Sequence, residues 1–144
     1  MKVERSALLP YSAMQMYEIV ADIRAYPEFL SWCSAVELVE ERDAEVVANL
    51  KIAYRKLNMA FTTRNQNKPG ESISLSLVDG PFSQLNGQWR FAALNKQACK
   101  VSIVMEFHFK RSAVSAVFGK AFEKIIVKQL QAFQMRAVQL HGAA

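Results

Sequence analysis

Cysteine, histidine, glycine and proline are all scarce in this 144-residue chain, and each scarcity removes a class of protein. Two cysteines, Cys33 and Cys99, with no CxxC spacing, argue against a disulfide framework or a zinc ribbon and for free thiols in a cytoplasmic protein. Of the two histidines, strand parity puts His108 outside and His141 sits at the frayed terminus, so no Ser-His-Asp order or metal-ligand cluster is expected. None of the five glycines builds a phosphate-cradling loop, and no glycine- or proline-rich linker divides the chain. Beyond residue 45 the only carboxylates are Glu71, Asp79, Glu106 and Glu123, which are scattered. Catalysis therefore finds little support, and the expectation is a protein that is not an enzyme. No run of eighteen apolar residues exists, so no transmembrane helix is expected. The stretch Met1-Lys2-Val3-Glu4-Arg5 lacks the apolar core of a signal peptide. The length fits one domain over residues 1–144.

What the chain does have is a lopsided charge. Residues 1–45 carry nine acidic and four basic side chains, whereas residues 46–144 carry four acidic and fourteen basic ones, for a net +5 overall. An ordinary mixed surface accounts for this. So does a partner of negative potential: RNA, a ribosome or an anionic membrane surface.

The middle of the chain alternates with period two, the signature of strands with one buried face. A first strand over residues 2–9 is stopped by Pro10. Ser12 and Gln15 then form a capping-box pattern ahead of Ala13, Met16, Tyr17 and Val20 at helical spacing. Asp22 is placed to cap a second short turn. The aromatic corner Tyr26-Pro27-Glu28-Phe29-Leu30-Ser31-Trp32-Cys33 follows, with Pro27 biasing Tyr26 away from helix. Inward-facing sets are then predicted at Val36 and Leu38; at Val46, Ala48, Leu50, Ile52 and Tyr54; and at Leu57, Met59, Phe61 and Thr63. They continue at Ile73, Leu75 and Leu77; at Leu85, Gly87, Trp89 and Phe91; and at Val101, Ile103, Met105, Phe107 and Phe109. Turns at Lys68-Pro69-Gly70-Glu71, Asp79-Gly80-Pro81 and Asn95-Lys96-Gln97 are short, so the sheet is predicted antiparallel throughout.

The last thirty residues change period. Phe118, Phe122, Ile125, Ile126, Gln129, Leu130, Phe133, Ala137 and Leu140 recur in steps of three and four. They predict one helix over residues 112–142, capped by Ser112 and ended by Gly142, on the order of 40 Å long. Such a helix needs a large concave partner, and about seven strands can curl around it.

This order, with two sequence segments, resembles a known family. Tyr26-Pro27-Glu28-Phe29-Leu30-Ser31-Trp32-Cys33 is similar to the YPxFxPWC segment of the RatA and coenzyme Q-binding family, with Ser31 in place of its proline. Gly80-Pro81-Phe82-Ser83-Gln84-Leu85-Asn86-Gly87-Gln88-Trp89-Arg90-Phe91 is similar to its GPFxxLxGxWxF segment. The resemblance implies an α+β helix-grip fold of the START and polyketide-cyclase superfamily, with a curved antiparallel sheet around the last helix. It implies two functions. Bacterial members bind the large ribosomal subunit as toxins and block its joining to the small one. Eukaryotic members bind coenzyme Q in the cavity under the helix and support respiration. A polyketide cyclase or dehydrase activity rests on fold analogy alone. No cofactor is required on this reading, ubiquinone or another lipid is the implied cargo, and nothing points to DNA.

Two sets of residues are candidates for those roles. Phe29, Trp32, Phe82, Trp89, Phe91, Phe122, Ile126, Gln129 and Phe133 are the expected cavity set. Gln129 sits near the middle of the helix's apolar face, where a buried amide either bonds a strand or meets the polar head of a ligand such as a quinone carbonyl. The aromatics serve equally as plain core. Gly119 marks a close backbone approach or a bend, and Arg136 is expected to reach the rim. Lys120, Lys124 and Lys128 stack along the opposite face and, with Arg111, are either a solvated surface or a phosphate-binding stripe, with Val127 and Met135 close by.

Overall fold

The computed structural model describes residues 1–55, 57–110 and 112–143, giving the backbone alone for 112–117. Strand β1 (Lys2–Leu9) leads into α1 (Ala13–Ala21), a 3-10 turn (Ile23–Ala25) and α2 (Tyr26–Phe29). Six strands follow: β2 (Cys33–Arg42), β3 (Glu45–Tyr54), β4 (Leu57–Lys68), β5 (Ser72–Asp79), β6 (Phe82–Asn95) and β7 (Ala98–Phe109). The chain closes with α3 (Ser112–His141). The seven strands form one antiparallel sheet in the order β1-β7-β6-β5-β4-β3-β2, so each neighbour except β1–β7 is a hairpin.

Local chemistry explains most element boundaries. Ser12 accepts from the Gln15 N–H at 3.1 Å while Gln15 Oε1 accepts from the Ser12 N–H at 2.9 Å, closing the capping box at α1. Gly142, at φ +79°, turns the chain off α3 and donates to the Val138 carbonyl at 2.9 Å. The cap expected from Ser112 rests on a side chain outside the described residues.

Two local expectations are corrected. Asp22 makes no side-chain cap at the 3-10 turn. Tyr26 is helical (φ −52°, ψ −44°) despite the following proline, because Pro27 lies in the first turn of α2, where its missing N–H leaves no bond unmade. Phe82 lies three residues before Leu85, so simple alternation would place them on opposite faces. A register shift between Phe82 and Gln84 restores Phe82 to the inner side, where it is buried.

The core lies between the concave face of the sheet and α3, which packs on β1, β7 and α1. Phe122 knots one end, with Phe107, Phe82, Phe61 and Phe109 ring centroids 4.7–6.2 Å away. Phe133 knots the other, meeting Trp89, Tyr26 and Phe29 at 5.3–5.6 Å. At Gly87 an added Cβ would lie 2.6 Å from Met105 Sδ and 2.9 Å from the Val104 carbonyl, so only glycine fits against β7. Val47 is buried outside this core, on the other face of β3, between its cross-strand partners Glu40 and Arg64, whose long stems can cover it.

Candidate functional site

Between the two aromatic knots the sheet and helix do not close completely. A cavity of about 70 Å³ remains, and it meets residues from the 3-10 turn, α2, five strands and α3. Of the predicted set, Trp32, Trp89, Phe122, Ile126 and Gln129 line it. Phe29, Phe82, Phe91 and Phe133 do not. Phe82 and Phe133 are consumed by the knots, Phe91 packs on Tyr17 and Trp89, and Phe29 faces a separate outer groove. For the three buried ones, Phe82, Phe91 and Phe133, the physical reason is common: an aromatic on the inner face is drawn to fill space before it can border any. The lining residues not expected from sequence include Tyr26, Leu50, Phe61, Met105 and Ile125.

Polarity enters the cavity from two sides. Gln129 is only 8% exposed and its Oε1 has no hydrogen-bond partner among the described residues. Across from the helix, Thr63 and Asn65 are buried on β4, with Thr63 Oγ1 donating to Asn65 Oδ1 at 3.0 Å. That leaves the Asn65 amide N–H₂ as the group it can offer the cavity. Asn65 was missed from sequence, although continuing the β4 alternation past Thr63 by one step reaches it. Gly119 is buried in the helix interface.

Tyr26 is the cavity's one titratable lining residue. The Tyr26 hydroxyl donates to the Val20 carbonyl, and burial pushes its pKa up, far from any working range. Cys33, beside this corner, is likewise pushed up to about 11 by burial, partly countered by its bond to the Ala35 carbonyl. Among the described residues no three potential metal ligands cluster, and no helix is long and apolar enough to cross a membrane.

The outer side of α3 is the second candidate. Lys120, Lys124 and Lys128 are exposed, and none forms an ion pair among the described residues. Arg111, expected beside them, lies outside the described residues. The Arg136 guanidinium lies 4.8 Å over the Phe29 ring and 3.8 Å from Glu28.

The sequence matches the family described as polyketide cyclase / dehydrase and lipid transport over residues 9–134. It is 42% identical to a Pseudomonas aeruginosa protein named ribosome association toxin RatA, over 97% of both chains. It is 24% identical to a Xenopus laevis coenzyme Q-binding protein, the mitochondrial COQ10 homolog B, over 95% of this chain and 58% of that one. The fold superposes on the Zhui aromatase/cyclase of a Streptomyces species with a TM-score of 0.86 at 18% identity, covering 95% and 93% of the two chains. It also superposes on a START superfamily protein of Mycobacterium smegmatis with a TM-score of 0.78 at 19% identity, covering 96% and 98%. The chain therefore belongs to the polyketide cyclase / dehydrase and lipid transport family, within its RatA branch.

Proposed function

We propose that this protein binds the large ribosomal subunit in the cytoplasm and blocks its joining to the small one. The observation that carries the reading is the lysine stripe. Three like charges stand at i, i+4 and i+8 on the exposed side of α3, where they repel one another by a few tenths of a kcal/mol per pair unless an anion lies across them. A ribosome presents such an anion as a run of RNA phosphates. Full-length similarity to a ribosome association toxin supports the same partner.

The test is co-sedimentation with purified large subunits across a salt series. Wild type should pellet with the subunit at low salt and release as salt rises. Changing Lys120, Lys124 and Lys128 together to glutamate should weaken binding by about ten-fold or more and flatten the salt dependence, each lost phosphate contact removing roughly 0.7–0.9 from the log–log slope. Wild-type protein that stays in the supernatant would end this reading, and unchanged binding by the variant would remove the stripe from it.

A second reading concerns the cavity, because an unpartnered buried Gln129 oxygen is a group awaiting a donor. On it the protein carries a quinone or other lipid, as the Xenopus relative's name suggests for that protein. The cavity of about 70 Å³ is under half the ~150 Å³ that holds benzene in an engineered core, so a quinone ring enters only if the aromatic walls part. Ribosome binding needs no such movement and ranks first. Neither reading makes the protein an enzyme. Native mass spectrometry of protein from its own host separates the two, since a stoichiometric lipid adduct would put the cavity first.

A further inference from the structure

An outer groove of about 350 Å³ meets the lysine stripe at Lys128. It runs along the outer side of α3, bounded by the α2–β2 corner and the end of β3. Phe29, Trp32 and Tyr54 supply aromatic walls, Gln131 and Lys128 supply polar edges, and Met135, 61% exposed, lies at the helix side. Among the described residues no carboxylate lines it. A second cation approaches from the sheet side: the Arg55 guanidinium lies 5.5 Å over the ring of Tyr54. Arg55 takes φ +54°, a left-handed backbone uncommon outside glycine, at the bend that follows β3.

We propose that this groove seats one unstacked base of single-stranded RNA, with the flanking phosphates held by Lys128 and Arg55. This rests on the ribosome reading and names the part of the ribosome that the surface takes. Exposed lysines alone suit any duplex, because phosphate contacts carry no information about strand pairing. Cations at the edges of an aromatic-walled slot suit a splayed base, whose face stacks on a ring while its backbone tracks the charge. A second copy seated the same way would bring two lysine stripes together, so charge disfavours self-association as the occupant.

The experiment is ultraviolet cross-linking of the full-length protein bound to purified large subunits, followed by nuclease digestion and mass spectrometry of the nucleotide-bearing peptides. Adducts are expected on Trp32 or Tyr54, or on the peptides that carry them. In parallel, Tyr54→Ala should weaken subunit binding by about ten-fold with an unchanged salt slope, and Tyr54→Phe should restore it, because stacking needs the ring and not the hydroxyl. Lys128→Ala should instead lower the slope by about one phosphate. Since Tyr54 also touches the core, Met135→Glu is the second variant: it places a negative charge at the groove edge on an exposed position and should weaken binding without lowering the melting temperature. Adducts that map only elsewhere, or wild-type affinity in both Tyr54→Ala and Met135→Glu, would overturn the groove while leaving ribosome binding in place. Wild-type protein that never pellets with large subunits would overturn both.

Discussion

The Arg136 guanidinium lies 4.8 Å over the ring of Phe29, and that ring meets Phe133 edge-on at 5.6 Å. A cation near the end of α3 is thus stacked on the corner that opens β2, and through it on the aromatic knot of the core. The arrangement ties the helix to the sheet at the end away from Phe122.

Arg136→Ala should therefore destabilise the protein by roughly 1 kcal/mol, from lost stacking and stem packing. Glu28→Gln should cost no more than about 0.5 kcal/mol, because its 3.8 Å pair with Arg136 is largely solvated. Urea unfolding of the two variants checks the order. An equal loss in both would mean the ion pair, and not the ring, holds the arginine.

Gln129 follows the exposed Lys128 but is itself buried, with its Oε1 lacking a hydrogen-bond partner among the described residues. A buried acceptor without a partner costs roughly 1–3 kcal/mol, whereas leucine of similar volume carries no such cost. Gln129→Leu is expected to leave ligand-free protein as stable as wild type or to raise its midpoint. It should also abolish any lipid that co-purifies with wild type, which lipid extraction and mass spectrometry would read. An unfolding free energy that falls by about 2 kcal/mol or more would mean that a donor, such as ordered water, already satisfies the amide.

Cys33 gives the folded state an alkaline limit. Its thiol is neutral when folded up to about 11, whereas in the unfolded chain it ionises at its ordinary value. A raised pKa contributes stability that is whole below the unfolded value and is lost as pH climbs through the folded one. Stability should fall between about pH 9 and 11, and Cys33→Ala should flatten that fall relative to wild type. Buried Cys99, also shifted upward by burial, should behave in the same direction. Chemical denaturation at pH 8 and pH 10.5 checks both.

The element order was legible in the sequence because it depends on local rules. A period of two, a period of 3.6, a capping box and a terminal glycine each act within a few residues, and they placed seven strands, two short helices and one long one. The burial of Gln129 followed from the same helical count, and so did the exposure of Lys120, Lys124 and Lys128. Asn65 was not singled out, although one further alternation beyond Thr63 reaches it.

Which aromatics fill the core and which border a space was decided by tertiary structure alone. Phe29, Trp32, Phe82, Trp89, Phe91 and Phe133 share the same chemistry, yet only Trp32 and Trp89 reach the cavity. A bulge re-aims Phe82, Arg136 takes Phe29, and Trp89 takes the edge of Phe133. The cavity is the gap left when a curved sheet and a straight helix have buried what they can against each other. Its volume and lining depend on how two distant surfaces mesh, and no local period encodes that complementarity.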